Sequence, residues 1–123
     1  MQKEWIESYY AAYNSEDAEA LRRFYADDVV LVSAQGELRG ADAIIGIYQF
    51  ITSQFYDRMT PLQIDIQGDR AIVTISDMFT AKSDVADFMG RSFKQGETFE
   101  LRLRGTYTVV NGKFSRIEIE NIV

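Results

Sequence analysis

Apolar residues recur at helical spacing in the first half of the chain and at strand spacing in the second half. Apolar side chains at every third or fourth position predict an amphipathic helix over residues 3–13. Asn14 and Ser15 can cap a second helix. A third helix is predicted over about 40–55, and because it is apolar on more than one face we expect it to be buried on two sides. Two short strands, DVVLVS and ELR, are predicted between the second and third helices.

After Pro61 the period of the pattern changes to two. Four strands in a meander are predicted from the runs LQIDIQ, RAIVTISDMFTAK, ETFELRLRGTYTVV and KFSRIEIENIV. Helices that precede strands are typical of an α+β fold, with one curved sheet closed by helices on one side. The chain shows no linker or repeat, so we expect a single domain over residues 1–123.

The last hairpin has two possible registers. A plain Asn-Gly turn would pair Val110 with Lys113, whereas a bulge at Gly112 would pair Val109 with Lys113. We predict the bulged register, because it separates apolar from charged positions. It gives one face with Leu101, Leu103, Ile117 and Ile119, and an outer or subunit-facing surface with Arg102, Arg104, Glu118 and Glu120.

Composition limits the chemistry. The chain has no cysteine and no histidine, which excludes thiol nucleophiles, Ser-His-Asp triads and histidine metal sites. No metal-ligand loop or glycine-rich phosphate loop is apparent, so no metal and no cofactor are expected. A net charge of −6 argues against nucleic acid or anionic membranes as partners, and without a leader or apolar span we expect a cytoplasmic protein.

Asp77 is the candidate for acid–base chemistry. In RAIVTISDMF it shares one face of the strand with Val73, Ile75 and Phe79. A carboxyl group on that apolar face should have a raised pKa, as suits a general acid or base. The alternatives are that the strand flips at Asp77, or that a hydroxyl or amide simply satisfies the carboxylate.

Other polar groups can line the same interior. Tyr9 and Tyr13 lie one helical turn apart and are either core residues or hydroxyl donors to a ligand oxygen. Ser33 alternates with Leu31 and is expected to be a hydrogen-bonding wall residue, and Asn121 a polar contact near the mouth. The apolar part of the predicted ligand site consists of Leu31, Ile75, Phe79, Phe88, Leu103 and Ile119.

Residues 83–97 are longer than a hairpin needs and carry Phe88, Met89 and Phe93. One interpretation is a flap over the cavity that shapes ligand choice. The other is that these apolar residues pack onto a sheet edge or a second subunit.

The order of elements and several short motifs resemble the nuclear transport factor 2-like superfamily. The motifs are YN..D between the first helices, FYADDV, the G.DAI start of the third helix and the NGK hairpin. This cystatin-like cone is the fold of ketosteroid isomerase, limonene-epoxide hydrolase and the SnoaL-type polyketide cyclases. The resemblance implies a cone with a pocket between the concave sheet and three N-terminal helices, and a homodimer through the sheet.

The resemblance also locates the residues of known activities. The isomerase tyrosine falls at Tyr9, but its general base falls at Ser33 and its second acid near residues 104–106, where no acid is present. Four residues of the hydrolase pattern fall at positions where this chain has a different residue type: Leu31, Ser33, Ile75 and Ile119. Only the paired aspartate of the hydrolase is matched, at Asp77. Neither activity is therefore expected in its usual form.

The function expected is binding of a small hydrophobic carbonyl or polycyclic compound. In the catalytic version, Asp77 moves a proton, Tyr9 steadies the oxyanion and Ser33 orients the ligand. The alternative is a non-catalytic ligand-binding or dimerisation module. An inward Asp77 beside a cavity favours the first, whereas an exposed Asp77 or a filled cone favours the second.

Overall fold

A computed structural model describes residues 1–122, in which three helices pack against one face of a mixed, six-stranded sheet. This architecture confirms the α+β prediction. The strands lie in the order β2-β1-β8-β7-β4-β3, and only β1 and β8 run parallel. The elements are α1 (Lys3–Asn14), α2 (Ala18–Arg22), β1 (Tyr25–Ser33), β2 (Gly36–Arg39), α3 (Ala41–Gln54), β3 (Phe55–Gln67), β4 (Arg70–Ala81), β5 (Val85–Phe88), β6 (Arg91–Phe93), β7 (Thr98–Val110) and β8 (Lys113–Asn121).

The connection between α1 and α2 uses its polar residues differently from the prediction. Asp17, rather than Asn14 or Ser15, is the N-cap of α2, and its Oδ1 accepts from the Glu19 amide at 3.1 Å. The Asn14 side chain instead bonds both the amide and the carbonyl of Met59, each at 2.8 Å. Asn14 therefore fixes the end of α1 to β3.

Strand β3 begins at Phe55, directly after α3 and six residues before Pro61. The prediction that the strand starts after Pro61 was wrong. Proline is tolerated within β3 because β3 is an edge strand, and the pairing with β4 shifts between Pro61 and Gln63. The early start brings residues 55–60 into the sheet, including Asp57.

The last hairpin turns at Asn111–Gly112, where both residues have positive φ values of 52° and 77°. Val110 pairs with Lys113, so the predicted pairing of Val109 with Lys113 was wrong. Two consecutive positive φ values suit the twist of a two-residue hairpin, and Asn-Gly adopts them readily.

The predicted faces of this hairpin are nevertheless correct. The register shifts between Thr108 and Val109, which opposes Arg104 to Glu120, with an ion pair of 3.1 Å between Nη1 and Oε1. The shift restores the separation of apolar and charged positions that an unbulged hairpin would lose. Leu103 and Ile117 are buried on the inner face.

Helix α3 buries one face only, whereas the sequence predicted burial on two sides. Ile44 and Tyr48 face the core, while 45% of Ile47 and 56% of Phe50 remain exposed. Within residues 1–122, the structure contains no helix with the length and apolar character needed to cross a membrane.

Tyr107 lies directly over Gly105 on the inner face of β7. A Cβ atom at Gly105 would be only 2.6 Å from Cε2 of Tyr107, and the Tyr107 hydroxyl accepts from Tyr10 at 2.9 Å. Because that ring is held on both sides, it has little freedom to move away.

We predict that Gly105→Ala lowers the free energy of unfolding by about 1–3 kcal/mol, because the added methyl group overpacks the Tyr107 ring. Gly46→Ala is the matched control, since no atom lies within 4 Å of the added Cβ in the middle of α3. That variant should gain roughly 0.5–1 kcal/mol through helix propensity. Urea unfolding followed by circular dichroism measures both, and equal stability of the two variants would contradict this packing.

Candidate functional site

Two aspartates are buried on the inner face of β3 and β4. Asp57 is 5% exposed and Asp77 is 3% exposed. The antiparallel register opposes Asp57 to Phe79 and Met59 to Asp77, which makes the two aspartates diagonal neighbours on one face. The prediction that Asp77 faces inward with its strand neighbours is confirmed. We refer to Asp57 and Asp77 as the acid pair.

One tyrosine holds the acid pair through a hydrogen bond to Asp57. Tyr13 donates its hydroxyl to Oδ2 of Asp57 at 2.6 Å. The carboxyl groups of Asp57 and Asp77 lie close enough for each to shift the pKa of the other. Oδ1 of each aspartate is buried and has no hydrogen-bond partner among the described residues.

Both aspartates of the acid pair have raised pKa values. Burial raises the pKa of Asp77 to about 10, and the nearby carboxyl group of Asp57 acts in the same direction. Burial also raises the pKa of Asp57, while the hydrogen bond from Tyr13 favours its charged form. Asp77 is therefore the aspartate that favours the protonated form, and Asp57, which accepts from Tyr13, is the better stabilised as a carboxylate.

Five phenylalanines adjoin the acid pair at the end of the sheet where β5 and β6 lie. We call them the phenylalanine cluster. The Phe55 ring is 4.6 Å from that of Phe88 and 5.4 Å from that of Phe93, and the Phe79 and Phe99 rings stack at 4.6 Å. Phe79 lies directly opposite Asp57 in the pairing of β4 with β3, so the cluster borders the acid pair.

The predicted flap over residues 83–97 contains a small hairpin. Strands β5 and β6 pair with each other in a separate two-stranded sheet, and Val85 and Phe93 are buried against Phe55 and Phe79. Backbone bonds at its base join Ala81 to residues 96–97, each at 2.9 Å. The hairpin thus lies over the phenylalanine cluster, while its role as a flap stays a prediction.

The structure pairs the two candidate tyrosines with different partners. Tyr9 is buried in the core, with its hydroxyl 2.8 Å from that of Tyr25, and burial raises its pKa well above the ordinary value. Tyr13, one turn later, is the tyrosine that bonds the acid pair. Tyr48 in turn donates to the Tyr13 carbonyl at 2.5 Å, which fixes this part of α1 against α3.

Ser33 and Asn121 lie near the rim of the sheet rather than beside the acid pair. Oγ of Ser33 accepts from the Gln35 amide at 3.3 Å in the turn after β1. Asn121 is exposed and pairs with Leu103. Leu31 and Ile119 are partly buried and pack against the main core.

Two hollows, of about 380 and 330 Å³, open on the surface of residues 1–122. Ser33 and Ile119 line the smaller one, together with Arg70 and Glu118. Asp77 lines neither hollow. Asp77 thus faces inward, as the catalytic alternative requires, without lining either of these two hollows.

Asp57 was missed by the sequence analysis, although a signal for it exists. Phe55, Asp57 and Met59 alternate with the exposed residues Tyr56 and Arg58, which is a strand period of two. The proximity of this stretch to a predicted helix and to Pro61 concealed the pattern.

Comparison with known proteins agrees with the fold. The sequence profile of the SnoaL-like domain matches residues 6–117. A candidate polyketide cyclase from Xanthomonas campestris has 20% identity and a TM-score of 0.82, with 95% of this chain and 87% of that chain covered. IdmH, a candidate polyketide cyclase from Streptomyces antibioticus, has 24% identity and a TM-score of 0.78, covering 97% and 90%.

An LEH-like epoxide hydrolase from M. tuberculosis is also similar, with 13% identity, a TM-score of 0.77, and 96% of this chain and 80% of that chain covered. No functionally curated protein matches the chain. The profile match over residues 6–117 places the chain in the SnoaL-like domain family, and the similar structures share its fold.

We predict that the free energy of unfolding decreases between pH 6 and pH 8. Asp77 stays protonated in the folded state, with a pKa of about 10, and ionises in the unfolded chain near its ordinary value of 3.8. An acid whose pKa is raised in the folded state stabilises the fold at low pH, and this stabilisation is lost as the pH rises. For one proton, the free energy of unfolding falls by up to about 1.4 kcal/mol per pH unit. The chain has no histidine, so few other groups titrate in this window.

Asp77→Asn should flatten this pH dependence, whereas Asp28→Asn, the same change on an exposed side chain, should leave the slope unchanged. Urea unfolding at several pH values measures the slopes. A wild-type slope near zero would show that the acid pair carries no extra proton in the folded state.

Proposed function

We propose that the chain binds a small hydrophobic molecule with a carbonyl oxygen and that the acid pair transfers protons on it. The observation that carries this proposal is a pair of buried aspartates, diagonal neighbours on the inner face of β3 and β4, of which Asp57 accepts a hydrogen bond from Tyr13. Such a pair supplies a proton donor and a proton acceptor at the same pH, which neither aspartate does alone.

The proposed step is enolisation. The Asp77 hydroxyl donates its proton to the carbonyl oxygen, and the Asp57 carboxylate takes a proton from the adjacent carbon. The carbon–hydrogen bonding pair becomes the carbon–carbon double bond of the enol, and the two aspartates exchange their protonation states. Tyr13 holds Asp57 in place through its 2.6 Å hydrogen bond.

These roles differ from those expected from the sequence. Asp77 is the acid of the pair, and the base is Asp57. Tyr9 and Ser33 have other hydrogen-bond partners, Tyr25 and Gln35, so the proposal assigns no step to either of them. The candidate cyclases and the epoxide hydrolase with this fold support small-molecule chemistry in general, and the proposal takes no substrate from them.

A second candidate function is a non-catalytic binding or dimerisation module. The packed aromatic interior favours it, because a ligand has to displace side chains before it reaches the acid pair. The homodimer through the sheet stays a prediction. The outer face of the sheet carries ion pairs such as Arg102–Glu100 and Arg104–Glu120, which two copies could exchange across an interface.

The probe for the proposed function is 2-tetralone, a bicyclic ketone with exchangeable hydrogens beside its carbonyl. In D₂O near neutral pH, the wild-type chain should accelerate hydrogen–deuterium exchange over an equal concentration of acetate, followed by NMR. Asp77→Asn and Asp57→Asn should each lower the rate by about a hundredfold, the usual contribution of a general acid or base.

Asp28→Asn, which changes an exposed carboxylate, should exchange the ketone as fast as the wild-type chain. Tetralone that shifts protein resonances near the acid pair without faster exchange would favour the binding module over catalysis. Tetralone that neither binds nor exchanges would overturn the whole proposal.

A further inference from the structure

The phenylalanine cluster and the acid pair form one continuous inner surface. Along β3, Phe55 and Asp57 are two residues apart on the same face, as are Asp77 and Phe79 along β4. Residues two apart on a strand are separated by roughly 7 Å. Phe55 and Asp57 on β3, like Phe79 and Asp77 on β4, are therefore about one aromatic ring apart along the strand.

Phe88 differs from most of the cluster. Phe55, Phe79 and Phe99 belong to the main sheet, whereas Phe88 lies at the end of β5 in the separate hairpin. Its side chain is only half-buried, while Phe93, the other member on the hairpin, is 5% exposed. Phe88 is thus the ring of the cluster with the least support from its own backbone.

The chain around Phe88 suits a local rearrangement. Met89 and Gly90 follow it with positive φ values of 54° and 79° in the β5–β6 turn. The pairing of β5 with β6 has an irregular register from Val85 to Phe88. Movement of the Phe88 ring therefore breaks no hydrogen bond of the six-stranded sheet.

We propose that the Phe88 side chain occupies the ring site of a ligand, and that a phenyl ring bearing a ketone takes its place with the carbonyl oxygen directed at the acid pair. The ring site is inferred from the geometry of the phenylalanine cluster. The direction of the carbonyl rests on the proposed function. The ligand class is a neutral aryl ketone.

The neighbours of Phe88 match a phenyl ring. Its ring centroid is 4.6 Å from that of Phe55, 5.9 Å from that of Phe79 and 6.4 Å from that of Phe99, all in tilted arrangements. These are favourable aromatic geometries, which a ligand ring can reproduce. The Arg91 guanidinium lies 5.1 Å from the centre of Phe93, and its charge disfavours a cationic ligand.

The test compares Phe88→Ala with Phe50→Ala, which removes the same side chain from an exposed site on α3. Apolar cavities of this size bind benzene-like molecules. NMR titration should show acetophenone and its hydrocarbon analogue ethylbenzene binding Phe88→Ala about tenfold more tightly than wild type. Phe50→Ala should bind them as wild type does.

Asp77→Leu in the Phe88→Ala background separates the ring site from the acid pair. It should remove any preference for acetophenone over ethylbenzene and leave ethylbenzene binding intact. Tighter binding of both compounds with no preference for the ketone would support the ring site and contradict the carbonyl contact of the proposed function. Unchanged binding of both compounds to Phe88→Ala would overturn the ring site.

A fluorine label tests the same inference if Phe88→Ala fails to fold. With 4-fluorophenylalanine at position 88 of the otherwise unchanged chain, acetophenone should shift the fluorine resonance toward that of the free amino acid. The same label at position 50 should not respond. A resonance at position 88 that stays unmoved up to the solubility of acetophenone would overturn the proposal.

Discussion

The antiparallel pairing of β3 with β4 is the constraint on which the site depends. It opposes Asp57 to Phe79 and places Asp77 diagonally across from Asp57, on a face that is otherwise apolar. A shift of one residue in either strand would turn its aspartate to the outer face of the sheet. Asn14 reinforces this arrangement, because its side chain bonds the backbone of Met59 from the end of α1.

This pairing forces two carboxyl groups into a space with little water. Two buried charges at this distance would repel each other and lose their hydration, so one of the groups stays neutral. Asp77 is the group that favours the neutral form, since Asp57 accepts from Tyr13 a hydrogen bond that stabilises its charge. The same constraint that costs stability thus produces a proton donor beside a proton acceptor.

More of the fold than of the candidate site could be predicted from the sequence. Strict alternation in RAIVTISDMF and the charge separation in the last hairpin were enough to assign the faces of β4, β7 and β8. Asp57 escaped prediction because Pro61 interrupts the strand that carries it, and an edge strand tolerates a proline that a central strand would not.

The remaining features depend on packing that a sequence pattern does not specify. Tyr9 and Tyr13 lie on the same side of α1, but their hydroxyl groups have different partners. Tyr13 bonds Asp57 on β3, whereas Tyr9 bonds Tyr25. Whether the interior is open or filled depends on where the β5–β6 hairpin places Phe88 and Phe93. The spacing of those residues in the sequence gives no information on this point.

Asp77 should keep its proton at neutral pH beside the carboxyl group of Asp57. The carbon-13 chemical shift of the Asp77 carboxyl group as a function of pH, assigned with Asp77→Asn, measures this. We expect a protonated carboxyl at neutral pH that titrates at about 10. Titration near the ordinary value of 3.8, with a carboxylate shift at pH 7, would contradict it.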